Sequence, residues 1–536
     1  MDRTARRRRS CLGPAIVLTA LALAACSSDA PSSHAPTSDA PTSDAPSTAA
    51  GNHSNTVVAA TSPNSASAEP TVVGAYDIGT FAGTDIWIDP VNGDDGNDGT
   101  SRATALRTVD TAWQRIPRGE TLTTGVRLML APGTYPVEGS VNYWEDRHGT
   151  ADAPIILQAA DGPHTATFEA DLNVFGVSYL YVLGLDIVRE GDAFHCEQCD
   201  HILIRDAELS GGTDGVGAHE TIKVNQSQHV YIEDSDIHGA DDNAIDFVAV
   251  QYGHVTGNRI HDAIDWCMYT KGGSAYIDVV GNEVFDCGTG GITAGQGTGF
   301  EFMRSPWLQY EAYGIRIVGN VVHHVEGAGL GVNGGYNVLL AHNTLYRVGS
   351  RSHVIEVVHG RRGCDGDTAT CTAHHDEGGW GSTEEEQGFI PNRHVLVYDN
   401  LVVNPVDAAS QWQQFQIGGP LEPPAASGAP NPALADDDLH IVGNVVWNGP
   451  VDHPLGTGDG GCADTNPTCN EAQLRADNAF NTVEPVLVDP EHGDFHLTDA
   501  GRAALPATVA IPAFSWDDLT AVPAGPTDNS EFDTDW

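Results

Sequence analysis

The sequence predicts an all-β chain folded as a single-stranded parallel β-helix, a solenoid with an N-terminal cap and loop insertions. Three observations predict it. A frame of apolar-x-apolar-x-x-Asn-x-apolar recurs, clearest at His254-Val255-Thr256-Gly257-Asn258-Arg259-Ile260, Ile277 to Val284 around Asn282, and Ile315 to Val322 around Asn320. Asn343, Asn400 and Asn444 hold the same place in later copies, and Ser235, Ala207 and Leu185 hold it in earlier ones. The spacings are 22, 28, 23, 24, 38, 23, 57 and 44. A basal period of 22 to 24 is too short for a propeller blade or a helical pair and suits one turn of a β-helix. Each copy holds short alternating runs of Val, Ile and Tyr between Gly, Asn and Asp, while 60 Gly and 30 Pro disfavour helical arrays. Asn is expected at a fixed corner because it tolerates left-handed backbone and its amide can bond to the Asn of the next turn.

In chain order, residues 1–26 read as a bacterial lipoprotein signal. Arg3 to Arg9 form a positive region, Leu12 to Ala25 an apolar one, and Leu23-Ala24-Ala25-Cys26 closes it like a lipobox, with Cys26 as the lipidated residue. The apolar stretch is too short for a good spanning helix. Residues 27–82 are a Ser, Thr, Pro and Ala-rich disordered linker, 83–450 the β-helix, and 451–536 a C-terminal coil and capping tail. The expected location is the bacterial cell surface or outer membrane, with membrane contact only through the lipid and the chain as a monomer.

Beyond the signal are eight cysteines in an exported chain, which favours disulfides. Cys196 with Cys199, Cys364 with Cys371, and Cys462 with Cys469 are close enough to staple single loops. Cys267 with Cys287 either does the same or bridges neighbouring coils. His195-Cys196-Glu197-Gln198-Cys199-Asp200-His201 invites a zinc reading, but adjacent ligands rarely close on one tetrahedral ion.

The formal net charge of −48 excludes nucleic acid as a natural partner, since phosphate binding needs a cationic footprint. A saline habitat or several bound divalent cations would each account for it. Against 23 arginines there are only two lysines, Lys223 and Lys271. They fall among clustered carboxylates: Asp214 in one coil, Asp241, Asp242 and Asp246 in the next, Asp262 and Asp265 in the one after. Lys223 lies 12 residues before its corner residue, Asp246 also 12, and Lys271 11. One extra corner residue in its coil is therefore expected to bring Lys271 into line with the other two, because a single-residue slip reverses the face. Converging carboxylates need a cation or a shared proton, and oxygen-only ligands point to calcium. The alternative is an ion-pair ladder of Lys223, Asp246 and Lys271 with solvated corner aspartates.

The stretches Ile86 to Thr100, Ala105 to Trp113 and Leu130 to Tyr135 resemble the N-terminal cap and first coil of secreted right-handed parallel β-helix proteins of the pectate-lyase-like superfamily, and Val488 to Leu497 resembles their C-terminal tail. The site pattern resembles family 9 polysaccharide lyases, with Asp214-Gly215, then Asp241-Asp242 and Asp246, then Lys271-Gly272-Gly273. Here three residues separate Asp242 from Asp246 where that pattern has two, and Lys271 follows sooner than the pattern has it. The resemblance implies that Asp214, Asp241, Asp242 and Asp246 hold Ca2+, that Lys271, or Lys223, is the base, and that the substrate is an acidic, uronate-containing polysaccharide cleaved by β-elimination. Calcium would neutralise the uronate carboxylate, without which the C5 proton is too weakly acidic to remove.

Two insertions are expected to wall the groove. The first carries Glu301, Arg304, Trp307 and Tyr310, suited to sugar faces and carboxylates, and the second Arg351, suited to an acidic group. The other outcome for the first loop is aromatic packing on the coil. Two further functions compete with the lyase. An inverting glycoside hydrolase would use Asp214, Asp241 and Asp242, but the accompanying Gly-His-Gly and Arg-Ile-Lys are missing. A non-catalytic carbohydrate-binding surface protein would need no base.

Overall fold

The computed structural model describes residues 73–512 and 514, apart from 213–218, 384–387 and 458–459. The expected signal with Cys26, most of the linker, and Asp214 lie outside the described residues. Each coil gives one strand to each of three long sheets, so alternate side chains of every strand point inward. Among the described residues the first sheet has 12 strands, the second 12 and the third 10, and the strand pairs within them are parallel. Ile202, Ile204, Val230, Ile232, Val255, Ile277 and Val279 from the first sheet meet Leu209, Ile237, Ile260, Phe194, Val224 and Phe247 from the other two in one continuous core. The expected β-helix is what forms.

The repeated Asn forms the expected amide ladder from turn to turn, but it does not adopt the left-handed backbone expected of it. Left-handed backbone belongs to the residue before: Asp206, Asp234, Gly257, Gly281, Gly319, His342, Asp399 and Gly443 have φ between 48° and 75°. The Asn itself serves as a hydrogen-bonding rung. Asn258 donates its backbone N–H and its Nδ2 to Asn282 Oδ1, both at 3.0 Å, and its Nδ2 also reaches the Ile232 carbonyl at 2.9 Å. The same pattern repeats through Asn282, Asn320, Asn343, Asn400 and Asn444. It ends on Asn478, a rung the sequence frame did not find. The strand Ala479–Phe480 pairs in parallel with Val445–Asn448, so the coils run past residue 450, helped by the short helix Glu471–Asp477 that Asn470 caps.

At the other end, the helix Val109–Trp113 buries Val109, Ala112 and Trp113, and the Trp113 ring meets Trp144 edge-on at 4.8 Å, closing the core as the cap reading expects. Residues just before 83 do not behave as linker. Tyr76 stacks on Tyr231 at 4.2 Å, donates its N–H to Glu233 and accepts from Arg205 through its carbonyl.

All four expected disulfides form: Cys196 with Cys199, Cys267 with Cys287, Cys364 with Cys371, and Cys462 with Cys469. Cys287 lies in register with Ala263 of the preceding coil, to which Cys267 also belongs, so the Cys267–Cys287 bond joins two neighbouring coils. Cys196 and Cys199 are taken by their own bond, in line with the weak case for zinc there. The bond between Cys462 and Cys469 staples a loop of the tail as expected, and it also lies within the core. Both residues are buried and belong to the same continuous core as the coils and Leu474 of the Glu471–Asp477 helix. The reason is that the solenoid continues beyond residue 450, so its open end must be plugged by apolar atoms, and this pair helps to do so.

The insertions pack against the coil. Trp307 lies edge-on against Tyr276 and Tyr313, and Tyr310 is enclosed by Tyr313, Tyr336 and Trp380. Both are at most 5% exposed, which corrects the expectation that they present sugar-binding faces. The coil's own aromatic column offers apolar area to any loop crossing it, and burying that area outweighs leaving the rings in water. Glu301 is likewise occupied, accepting from the backbone N–H groups of Asp365 and Asp367.

Candidate functional site

The outward face of the third sheet carries Lys223, Asp246 and Lys271. Its strands Phe194–Glu197, Ile222–Asn225, Ile245–Val248, Trp266–Lys271, Gly290–Gly295, Ala328–Asn333, His353–Val358 and Gln413–Ile417 stack in register. Alternation sends Ile222, Val224, Ile245 and Phe247 inward, and therefore Lys223 and Asp246 outward. The outward column reads His195, Lys223, Asp246, Tyr269, Thr293, Gly331, Glu356 and Gln416. A neighbouring column reads Glu197, Asn225, Val248, Lys271, Gly295, Asn333 and Val358.

Lys223 and Asp246 are partners, as the ladder reading had it, but Lys271 is not in their column. Tyr269 takes that position. The coil's extra residue falls after the strand, between Lys271 and Ala275, because Val248 pairs with Lys271 at a step of 23 and Gln251 with Ala275 at 24. That moves the equivalent of Asp246 further from Asn282, to 13 residues before it. Lys271, two residues on, keeps the same face one column across. The corner is Gly272-Gly273, both at positive φ, and a Cβ on Gly273 would collide with the Trp307 carbonyl oxygen. The Gly272 N–H donates to Glu311 Oε2 at 3.0 Å, and Glu311 is held by the fully buried Arg362 guanidinium. The loops thus brace the corner behind Lys271, a role for Glu311 and Arg362 that no motif announced.

Lys223 Nζ donates to Glu220 Oε1 at 2.8 Å and lies 3.6 Å from Asp246 Oδ2. Burial alone would lower its pKa, but Asp246 and Glu220 overcome that and raise it, so Lys223 is a fixed cation. Burial, and then the Asp246 charge, push Glu220 up to about 8. Lys271 Nζ, in contrast, donates to Tyr269 Oη at 2.9 Å and Gln296 Oε1 at 3.3 Å, with no carboxylate in ion-pair contact among the described residues. Tyr269 Oη also accepts from Asn243 Nδ2 at 2.9 Å. Complete burial, with Asp246 adding to it, raises the Tyr269 pKa and keeps the phenol protonated. His195 is held neutral, chiefly by burial.

The aspartates separate into two sets. Asp242 and Asp265 stack in the corner before the strands, through the Asp265 N–H to Asp242 carbonyl bond at 2.9 Å. Burial, then Asp265 and Asp246, push the Asp242 carboxyl up to about 6, and burial raises that of Asp265. Asp241 has both carboxylate oxygens buried without a hydrogen-bond partner. Asp246 faces Lys223, and Asp262 is on the second sheet, paired with His261. Among the described residues, three groups of possible ligands have their donor atoms within 4.8 Å of one another: Asp200 with His201 and His229, Glu301 with Cys364 and Cys371, and His164 with Asp186 and Glu208. None of these includes Asp241, Asp242 or Asp246. Asp241 and Asp242 fit a hard cation by donor chemistry. Asp246 is committed to Lys223. Of the remaining candidates, Arg304 donates to Gln226 at 3.2 Å and Arg351 pairs with Glu326 at 2.5 Å on the coil edge.

Glu220 gives a pH prediction. Its proton, lost near 4.5 in the unfolded chain, is retained up to about 8 in the folded one. Stability from the neutral form is complete below pH 4.5 and is lost as pH rises through 8. Urea unfolding is expected to show wild type losing up to a few kcal/mol relative to Glu220→Gln across that window. A pH-independent difference would contradict the assignment.

A family model described as the right handed beta helix region matches residues 192–367, the coils that carry most of this face. Those residues match a right-handed β-helix, in agreement with the three long parallel sheets. No curated protein matches it. Similar solved structures include a pectate lyase (15% identity, 53% of this chain and 76% of that chain, TM-score 0.40). The A-module of a mannuronan C-5 epimerase from Azotobacter vinelandii matches at 13% identity, over 67% of this chain and 94% of that one, with TM-score 0.39. A surface adhesin of Streptococcus pneumoniae matches at 9%, over 52% and 70%, with TM-score 0.30.

Proposed function

We propose that the chain is a cell-surface polysaccharide lyase, tethered through Cys26, that cleaves a uronate-containing polysaccharide by β-elimination. The observation that carries this reading is the placement of a fixed cation, Lys223, and a lysine with neutral partners, Lys271, on either side of the protonated Tyr269 and on one face. Lys223 pairs with the substrate carboxylate. Lys271 Nζ takes the C5 proton, the C5–H electrons form the C4=C5 double bond, and the C4–O bond breaks towards the leaving sugar. The Lys271 ammonium so formed returns that proton to the departing oxygen, and the buried Tyr269 hydroxyl, which Lys271 contacts, positions Nζ. Calcium, held by Asp241 and Asp242, would further neutralise the substrate carboxylate. Tyr269 was not singled out by sequence reading; its register position opposite Asp246 is what marks it.

Incubation of the soluble mature domain with a panel of uronate polymers, with calcium or a chelator, tests this. Ultraviolet absorbance of unsaturated uronate, diminished by the chelator, is the expected result. Reducing ends without absorbance would replace the lyase by a hydrolase, and binding without either product by an adhesin.

A further inference from the structure

Resting on the lyase reading, we infer that the substrate is an alternating heteropolymer in which each uronate is flanked by uncharged sugars, and not a homopolymeric polyuronate. The argument is the distribution of charge along the outward columns. Consecutive strands lie about 4.8 Å apart, so a chain crossing them meets a new pair of side chains at that interval. Within these two columns lysines occur in two coils only, Lys223 and Lys271, about 10 Å apart, with Asp246 between them paired to Lys223. One coil before Lys223 stands Glu197. Beyond Lys271 the columns offer Thr293, Gly295, Gly331 and Asn333, which carry no charge, and then Glu356.

Glu356 is fixed in place. Its Oε1 accepts from Asn333 Nδ2 at 2.9 Å and its Oε2 faces His353 Nε2 at 3.1 Å. Gln416, in register with it, accepts from Gln413 Nε2 at 2.8 Å. Amides and a carboxylate fixed by its neighbours suit the hydroxyls of a neutral hexose or the amide of an N-acetylhexosamine. A second uronate there would set its carboxylate against Glu356, and like charges brought together oppose binding. At the other end, Glu197 acts in the same direction on a uronate preceding the one at Lys223, though the Arg304 guanidinium beside it partly offsets its charge. The face therefore accommodates one uronate at the two lysines and discriminates against uronates on either side.

The test uses the soluble mature domain with two polymer classes: polygalacturonate and polymannuronate, and polymers in which a uronate alternates with a neutral hexose, a deoxyhexose or an N-acetylhexosamine. Affinity electrophoresis reads binding and ultraviolet absorbance reads elimination. Binding to at least one alternating polymer is expected to exceed binding to either homopolymer by about tenfold, and Glu356→Gln to narrow that ratio by raising homopolymer binding. Equal or tighter homopolymer binding, or a ratio unmoved by both Glu356→Gln and Glu197→Gln, overturns the inference while leaving the lyase standing. The expected binding order with no absorbance from any polymer keeps the specificity and removes the lyase.

Discussion

Lys271→Ala is expected to fold as the wild type does and to lose about 10²- to 10⁴-fold in turnover on the best polymer, the usual contribution of one positioned proton-transfer group. Among the described residues its Nζ hydrogen-bonds the Tyr269 hydroxyl and the Gln296 side-chain carbonyl and no carboxylate, so truncation breaks no ion pair. Lys223→Ala should behave differently. It leaves Asp246 and Glu220 facing each other in a buried site, and losing one partner of such a set costs about 3–5 kcal/mol. Because Glu220 keeps its proton up to about pH 8 and needs Lys223 only once ionised, that loss should grow as pH rises through 8, whereas the Lys271→Ala defect is catalytic at every pH. Melting curves and initial rates on both variants separate these roles. Full turnover in both variants would remove the proposed mechanism.

Asn282→Ala should cost about 3–6 kcal/mol, the largest single loss outside the site. Asn282 Oδ1 accepts from the Asn258 backbone and side chain, and its Nδ2 donates to the Val255 carbonyl at 2.9 Å. Alanine orphans three buried polar groups at about 1–3 kcal/mol each, with some recovery by relaxation. Asn282→Asp tests the same rung, since it keeps the acceptor and loses the donor, and its loss should be smaller at a pH where the new carboxyl is protonated. Denaturant midpoints for the two variants are the measurement, and a loss below about 1 kcal/mol for alanine would mean the ladder is ornamental.

How far the sequence could be read follows from what each feature depends on. The coil frame was legible because the Asn ladder and the inward alternation both repeat with the coil. The disulfides were legible because three of the four pairs are close in sequence, although nearness could not tell that Cys462 and Cys469 sit inside the core instead of on a surface loop. The Lys223–Asp246 pair was legible from counting, since no extra residue intervenes between their coils. Lys271 was placed on the right face but in the wrong column, because counting cannot say on which side of a strand an inserted residue falls. Trp307 and Tyr310 were misjudged because an exposed sugar platform and a buried loop anchor have the same composition. Glu220, Tyr269, Glu311 and Arg362 act through partners 2 to 51 residues away, with no motif to flag them.

Among the described residues, the Cys267–Cys287 bond is the one covalent link between successive coils. A solenoid under tension comes apart turn by turn, since each coil is held only by its neighbours. A pull on either end would therefore unspool strands until it reached this clamp, whose first sulfur lies two residues from Tyr269 and four from Lys271 on the same strand. The strand with most to lose from being stretched is the one fastened mechanically to the next, so a shear load that frays both ends of the rod can spare its middle.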